Sequence, residues 1–109
     1  MSKSRLPPAP THLSEEAQTR WESIVAEWDL DRPALLILET VLEAFDRMRE
    51  AQRTIAAEGI VVRDRFDQPK QHPATVVEYH SRAAMLRGLK QLGIDLKPLN
   101  PGPGRPAGR

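Results

Sequence analysis

Between Pro33 and Glu58 apolar residues return every three or four positions, at Ile37, Leu38, Val41, Leu42, Phe45, Met48 and Ile55. That period predicts one long amphipathic helix. Asp31 stands where an N-cap belongs, Pro33 falls in the first turn, where its missing N–H does no harm, and Gly59 follows as a natural stop. At 1.5 Å per residue the helix would run to about 39 Å, longer than a compact domain of this size is wide. A helix that overhangs its own domain needs something else to lie against. Leu36 sharpens the point, because it falls on the face otherwise held by Glu39, Glu43, Arg47 and Glu50. We expect a second copy of the chain to cover it.

Upstream, Ala17, Trp21, Ile24, Val25 and Trp28 form a shorter apolar stripe. Ser14 is suited to cap this helix, with Glu15 and Glu16 in the first turn, where the helix dipole favours negative charge. The helix should end near Trp28, with both tryptophans in the core. Asp29 to Asp31 make a tight turn, which raises a helix-turn-helix reading. A recognition helix opens with polar and basic side chains that reach base edges. This one opens with Leu35, Leu36, Ile37 and Leu38, so that reading is rejected.

After Gly59 the period changes. Ile60, Val61 and Val62 are β-branched, and residues 64–70 supply turn formers and Pro69, which predicts a small β-hairpin or an extended loop. An isolated hairpin is marginal in water and should pair or pack with a neighbour. Pro73 then opens a third helix, capped by Gln71 or His72 and stopped by Gly93. Its inner arc is Ala74, Val77, Ser81, Ala84, Met85, Gly88, Leu89 and Leu92, small enough in places for a partner helix to come close. The short connection favours its lying antiparallel to the long helix. Its other face mixes Val76, Tyr79, Ala83 and Leu86 with His80, Arg87 and Lys90. A face half apolar and half basic reads as a contact surface.

The ends carry no such period. Residues 1–12 hold three prolines and predict an extended or disordered arm. Residues 95–109 hold four prolines and three glycines and predict a flexible basic tail. That leaves residues 13–94 as one helical oligomerisation domain, and the fold class as mainly α. No apolar run approaches a membrane span and no secretory leader is visible, so the expected location is cytosolic and no membrane contact is expected. With no cysteine, disulfides and thiolate metal sites are excluded.

The net charge is only +1, yet charge is unevenly placed. Lys3 and Arg5 precede the first acid, while Arg82, Arg87 and Lys90 lie in an acid-free stretch between Glu78 and Asp95. Lys97, Arg105 and Arg109 close the chain. Solvated basic tails are the plain explanation. The search for catalysis returns nothing: no nucleophile elbow, no phosphate-binding loop, and His12, His72 and His80 too scattered for a metal pattern. A small metal site would require His72 and His80 to meet Asp64 or Glu78 in space. The acids Glu39, Glu43, Asp46 and Glu50 read as surface partners of Arg47 and Arg53. No enzyme and no cofactor are expected.

Taken in order, PPAPTHLSEEAQTRWESIVAEWDL, LLxLExVLEAF, AAEGIVV, KQHP and LRGLKQLGI run from Pro7 to Ile94. This series resembles the phage terminase small subunits. The resemblance implies a non-catalytic DNA-packaging factor: a closed homo-oligomeric ring that binds viral double-stranded DNA and recruits or regulates the large ATPase and nuclease subunit, in the host cytoplasm. Many members carry a separate helix-turn-helix domain, for which this chain has no room. Under the resemblance, Leu36, Val76, Tyr79, Ala83 and Leu86 become ring-interface candidates. Arg82, Arg87 and Lys90, with Lys3 and Arg5 and the C-terminal Lys97, Arg105 and Arg109, become DNA-contact candidates, each multiplied by ring symmetry. Those contacts would be to phosphates. The competing reading is a helical protein–protein adaptor that never touches nucleic acid.

Overall fold

The computed structural model describes residues 6–94. Its order is α1 (Glu15–Glu27), α2 (Arg32–Glu58), β1 (Val61–Arg63), β2 (Pro69–Gln71) and α3 (Ala74–Leu92). The mainly helical fold with one small hairpin is therefore as expected.

Each helix starts and stops for a local reason. Ser14 accepts the Ala17 N–H at 3.0 Å, and its own N–H and hydroxyl bond to the Asp46 carboxylate on α2. The cap of α1 thus also fixes where α1 meets α2. Asp31 Oδ1 accepts the Ala34 N–H at 3.0 Å, and Pro33 sits in the first turn of α2. At the far end the Gly59 N–H reaches Ile55 O at 2.7 Å, with φ at 92°, a conformation that disfavours any side chain. Gly93, at φ 76° and ψ 15°, closes α3 in the left-handed helical region.

α2 is the spine. Leu38, Val41, Leu42, Phe45 and Met48 are buried, Ala44 and Ala51 join them, and Ile37 and Ile55 are half-buried. Three long-range relations give the direction of α3: His72 bonds Glu58, Gln52 bonds Glu78, and Gly88 lies against Val41. Numbers rise on one helix as they fall on the other, so α3 runs antiparallel to α2. A Cβ built on Gly88 would run into Val41 Cγ2, so the two helices meet as closely as side chains allow.

The hairpin pairs Val61 with Gln71, Val62 with Lys70 and Arg63 with Pro69. Asp64 Oδ1 accepts from the backbone of Phe66 and Gln68, and Asp67 takes a positive φ of 63°. An Asx-type turn of this kind explains why Asp64 sits where it does.

His72 opens α3. Its Nδ1 accepts the Ala74 N–H at 2.9 Å, so the ring proton sits on Nε2, which donates to Glu58 Oε1 at 2.8 Å. One buried ring therefore caps α3 and ties it to the end of α2.

Two core expectations need correction. Trp21 is 4% exposed, whereas Trp28 is 38% exposed. Trp28 is the C-cap of α1, at φ −121° and ψ 136°, so its side chain leaves the helical period that placed it inside. Val77, expected on the inner arc of α3, is also exposed, at the flank of that arc. In the N-terminal segment, from Pro7 onward, the chain lies along the helices. Ala9 packs on the core, Leu13 is buried, and the Trp21 Nε1–H donates to Pro7 O at 2.9 Å.

Candidate functional site

On α3 the side turned from α2 carries Val76, Tyr79 and Leu86 in the open, with Tyr79 70% exposed and Ala83 half-buried among them. Arg87 and Lys90 share this arc by helical spacing and are exposed. The half-apolar, half-basic face read from the sequence is thus present on the folded chain. The His80 ring meets that of Tyr79 edge-on at 5.4 Å.

Leu36 stands elsewhere. It is 67% exposed on the side of α2 that points away from α3, so it does not join the Tyr79 face. The two helices therefore show a half-apolar face on α3 and, apart from it, a single exposed leucine on α2. Sequence reasoning missed a third exposed apolar group, on the hairpin, where Ile60, Val61 and Phe66 are all more than half exposed. The β-branched run signalled a strand, but a two-stranded sheet leaves one face uncovered unless a neighbour supplies the cover. An apolar groove of about 340 Å³ also lies between α1 and α3 over α2, lined by Ile24, Trp28, Phe45, Met85 and Ile94.

The basic candidates differ in availability. Arg82 pairs with Glu78 one turn back at 2.9 Å, and Glu78 also holds Gln52. Arg87 and Lys90 form no ion pair among the described residues. Lys3, Arg5, Lys97, Arg105 and Arg109 lie outside the described residues.

Among the described residues the acids of α2 form no ion pair with Arg47 or Arg53, contrary to expectation, although Asp46, Glu50 and Arg53 line one surface cleft. Asp46 holds Ser14, Glu39 and Glu43 face His12, and a different arginine, Arg49, reaches across to Glu16 at 3.2 Å. Their partners come from the N-terminal segment and α1, more than 30 residues away in sequence, which no local spacing rule detects. His72 and His80 do not gather Asp64 or Glu78 around them; His72 is engaged by Glu58.

What the scaffold offers is exposed apolar surface on α2, α3 and the hairpin, with an apolar and a basic component side by side on α3. That defines a helical protein organised around its outer faces. A family model for phage terminase, small subunit, matches residues 17–97, and the chain belongs to that family. Its role is accordingly in phage genome packaging, and membership implies the large terminase subunit and DNA as partners. Comparison with curated proteins and with solved structures gave no match. No helix among the described residues is long and apolar enough to cross a membrane.

Proposed function

We propose that the chain is the non-catalytic small subunit of a phage packaging motor, working in the host cytoplasm as a closed ring that binds viral double-stranded DNA and recruits or regulates the large subunit. The observation that carries this reading is the presence of exposed apolar groups at two separate places on one subunit, Leu36 on α2 and Val76, Tyr79, Ala83 and Leu86 on α3. Two unlike faces suit a head-to-tail contact, which closes into a ring when the rotation between neighbours divides a full turn. Charge supports the pairing. Leu36 is flanked by Glu39 and Glu43, while the α3 face carries Arg87 and Lys90.

Native mass measurement tests the ring. The wild-type chain should run as a discrete multiple of the 12.3 kDa subunit. Leu36→Glu and Tyr79→Glu should each yield smaller species with unchanged helicity, because each places a charge in a contact that excludes water. A folded wild-type monomer at high concentration would defeat the reading.

For DNA, Arg87 and Lys90 supply phosphate contacts, joined by Arg82 where Glu78 releases it, and by Lys3, Arg5, Lys97, Arg105 and Arg109 in the tails. Reversing Arg87 and Lys90 to glutamate should weaken binding to duplexes of any sequence while the native mass holds. For every phosphate no longer neutralised, the log–log salt dependence should flatten by about 0.9. Equal binding by wild type and variant at low salt would remove both residues from the interface. The net charge of +1 favours a second reading, a protein–protein adaptor without nucleic-acid binding. A wild-type chain that shifts no duplex at any salt concentration would select it.

A further inference from the structure

We infer that His12, Glu39 and Glu43 form a site for a divalent transition-metal ion, Zn²⁺ above all, which fastens the N-terminal segment to α2. The three donor atoms lie within 4.8 Å of one another. His12 Nε2 stands 2.8 Å from Glu43 Oε2 and 3.7 Å from Glu39 Oε2. In a tetrahedral site with zinc–ligand bonds of about 2.0–2.1 Å, neighbouring donors sit about 3.3–3.4 Å apart. The two separations from His12 bracket that value, and the carboxylates, on partly exposed side chains, can close on an ion by small rotations.

The donor set is mixed, one imidazole nitrogen and two carboxylate oxygens, and it comes from two segments of the chain. Three protein ligands leave a fourth position for water. Imidazole with carboxylates suits Zn²⁺, whereas Mg²⁺ and Ca²⁺ prefer oxygen alone. Glu39 and Glu43 share a helix face because they are four residues apart. His12 is carried over them by a segment held on both sides: Pro7 O receives the Trp21 indole N–H, Leu13 is buried, and Ser14 is bound to Asp46. The site is therefore set out by the fold before an ion arrives, and its outer side is open to solvent, with the His12 side chain 54% exposed. Binding neutralises two carboxylates within about two turns of Leu36, so occupancy also changes the charge of that face.

The test is titration of the full-length, untagged protein with Zn²⁺ by calorimetry, with chymotrypsin cleavage after Leu13, beside His12, as a second readout. The expected result is one ion per chain and slower cleavage ahead of Ser14 when the ion is present. His12→Ala and Glu43→Gln should each lower affinity by more than about 100-fold, since even the outer partners of a metal ligand are worth 10–100-fold. His80→Ala should change nothing. All three side chains lie at the surface, and circular dichroism checks that each variant keeps its helices. Saturation that is no tighter in the wild type than in His12→Ala overturns the site, as does an ion that binds without altering cleavage. In that case His12 and Glu43 are a surface hydrogen-bonded pair and nothing more.

Discussion

Truncating Trp21 to alanine is expected to cost about 3–5 kcal/mol of folding stability, the range for emptying a buried aromatic site. Trp21 is 4% exposed and belongs to the cluster that joins α1 to α2. Its indole N–H also holds Pro7 O at 2.9 Å, so the substitution releases the N-terminal segment as well as leaving a cavity. A small domain is stable by only about 5–15 kcal/mol in total, so the variant should melt far below the wild type, by about 4–8 °C for each kcal/mol. Trp28→Ala is the contrast. That ring is 38% exposed and lines an open groove, so its removal leaves no closed cavity and should cost less than the loss of Trp21. Denaturation of both variants at one fixed protein concentration, so that the proposed assembly would weigh equally on each, should rank Trp21 well above Trp28. Equal destabilisation would mean that the sequence stripe, and not the helix end, decides which tryptophan is core.

That contrast marks where sequence reasoning ends. Helix limits were legible because they depend on single residues acting locally: Ser14 and Asp31 as caps, Pro33 in a first turn, Gly59 and Gly93 at positive φ. The apolar stripe of α2 was legible because 27 residues carry the period through many turns. Trp28 was misplaced because a period holds only while the helix lasts, and the backbone leaves the helix at that residue. The partners of Glu39, Glu43 and Asp46 were hidden for another reason. Their contacts with His12 and Ser14 follow from how the chain turns back across α2, and no spacing along α2 encodes that. His72 shows both limits. The sequence offered it as one of two caps for α3, while its bond to Glu58 appears only when α2 and α3 stand side by side.

The outer faces were half legible. On α3, Tyr79, Leu86, Arg87 and Lys90 fall on one arc by spacing alone, and the fold leaves that arc open. Grouping Leu36 with them was a matter of composition, and the fold separates the two by putting α3 on the other side of α2. The separation changes the physical argument. One patch would favour a two-fold pair, self-complementary across an axis; two unlike patches favour a repeating head-to-tail contact.

How those two faces stand relative to each other depends on the distance between α2 and α3, which Gly88 sets. Replacing Gly88 with leucine is expected to cost more than about 3 kcal/mol, at the upper end for overpacking a close helix contact. Alanine is the informative step. In an open helix it would gain about 1 kcal/mol over glycine. Here its Cβ would meet Val41 Cγ2, on a branched side chain that is 3% exposed and has little rotamer freedom, with Ile37 Cγ2 close behind. The strain of about 1–3 kcal/mol should outweigh the propensity gain, leaving Gly88→Ala less stable than wild type. Val41→Ala alone should also destabilise, by leaving a cavity. Combined, the two changes trade one methyl-sized volume for another, so the double variant should recover part of both deficits, a coupling of about 0.5–3 kcal/mol between contacting residues. Strict additivity in the double-mutant cycle, or a stabilised Gly88→Ala, would show that the helices do not touch at Gly88. In the proposed ring, Gly88→Leu should also reduce assembly more than its lower stability accounts for, because parting the helices would move the Tyr79 face away from Leu36 and spoil the angle at which successive subunits would meet.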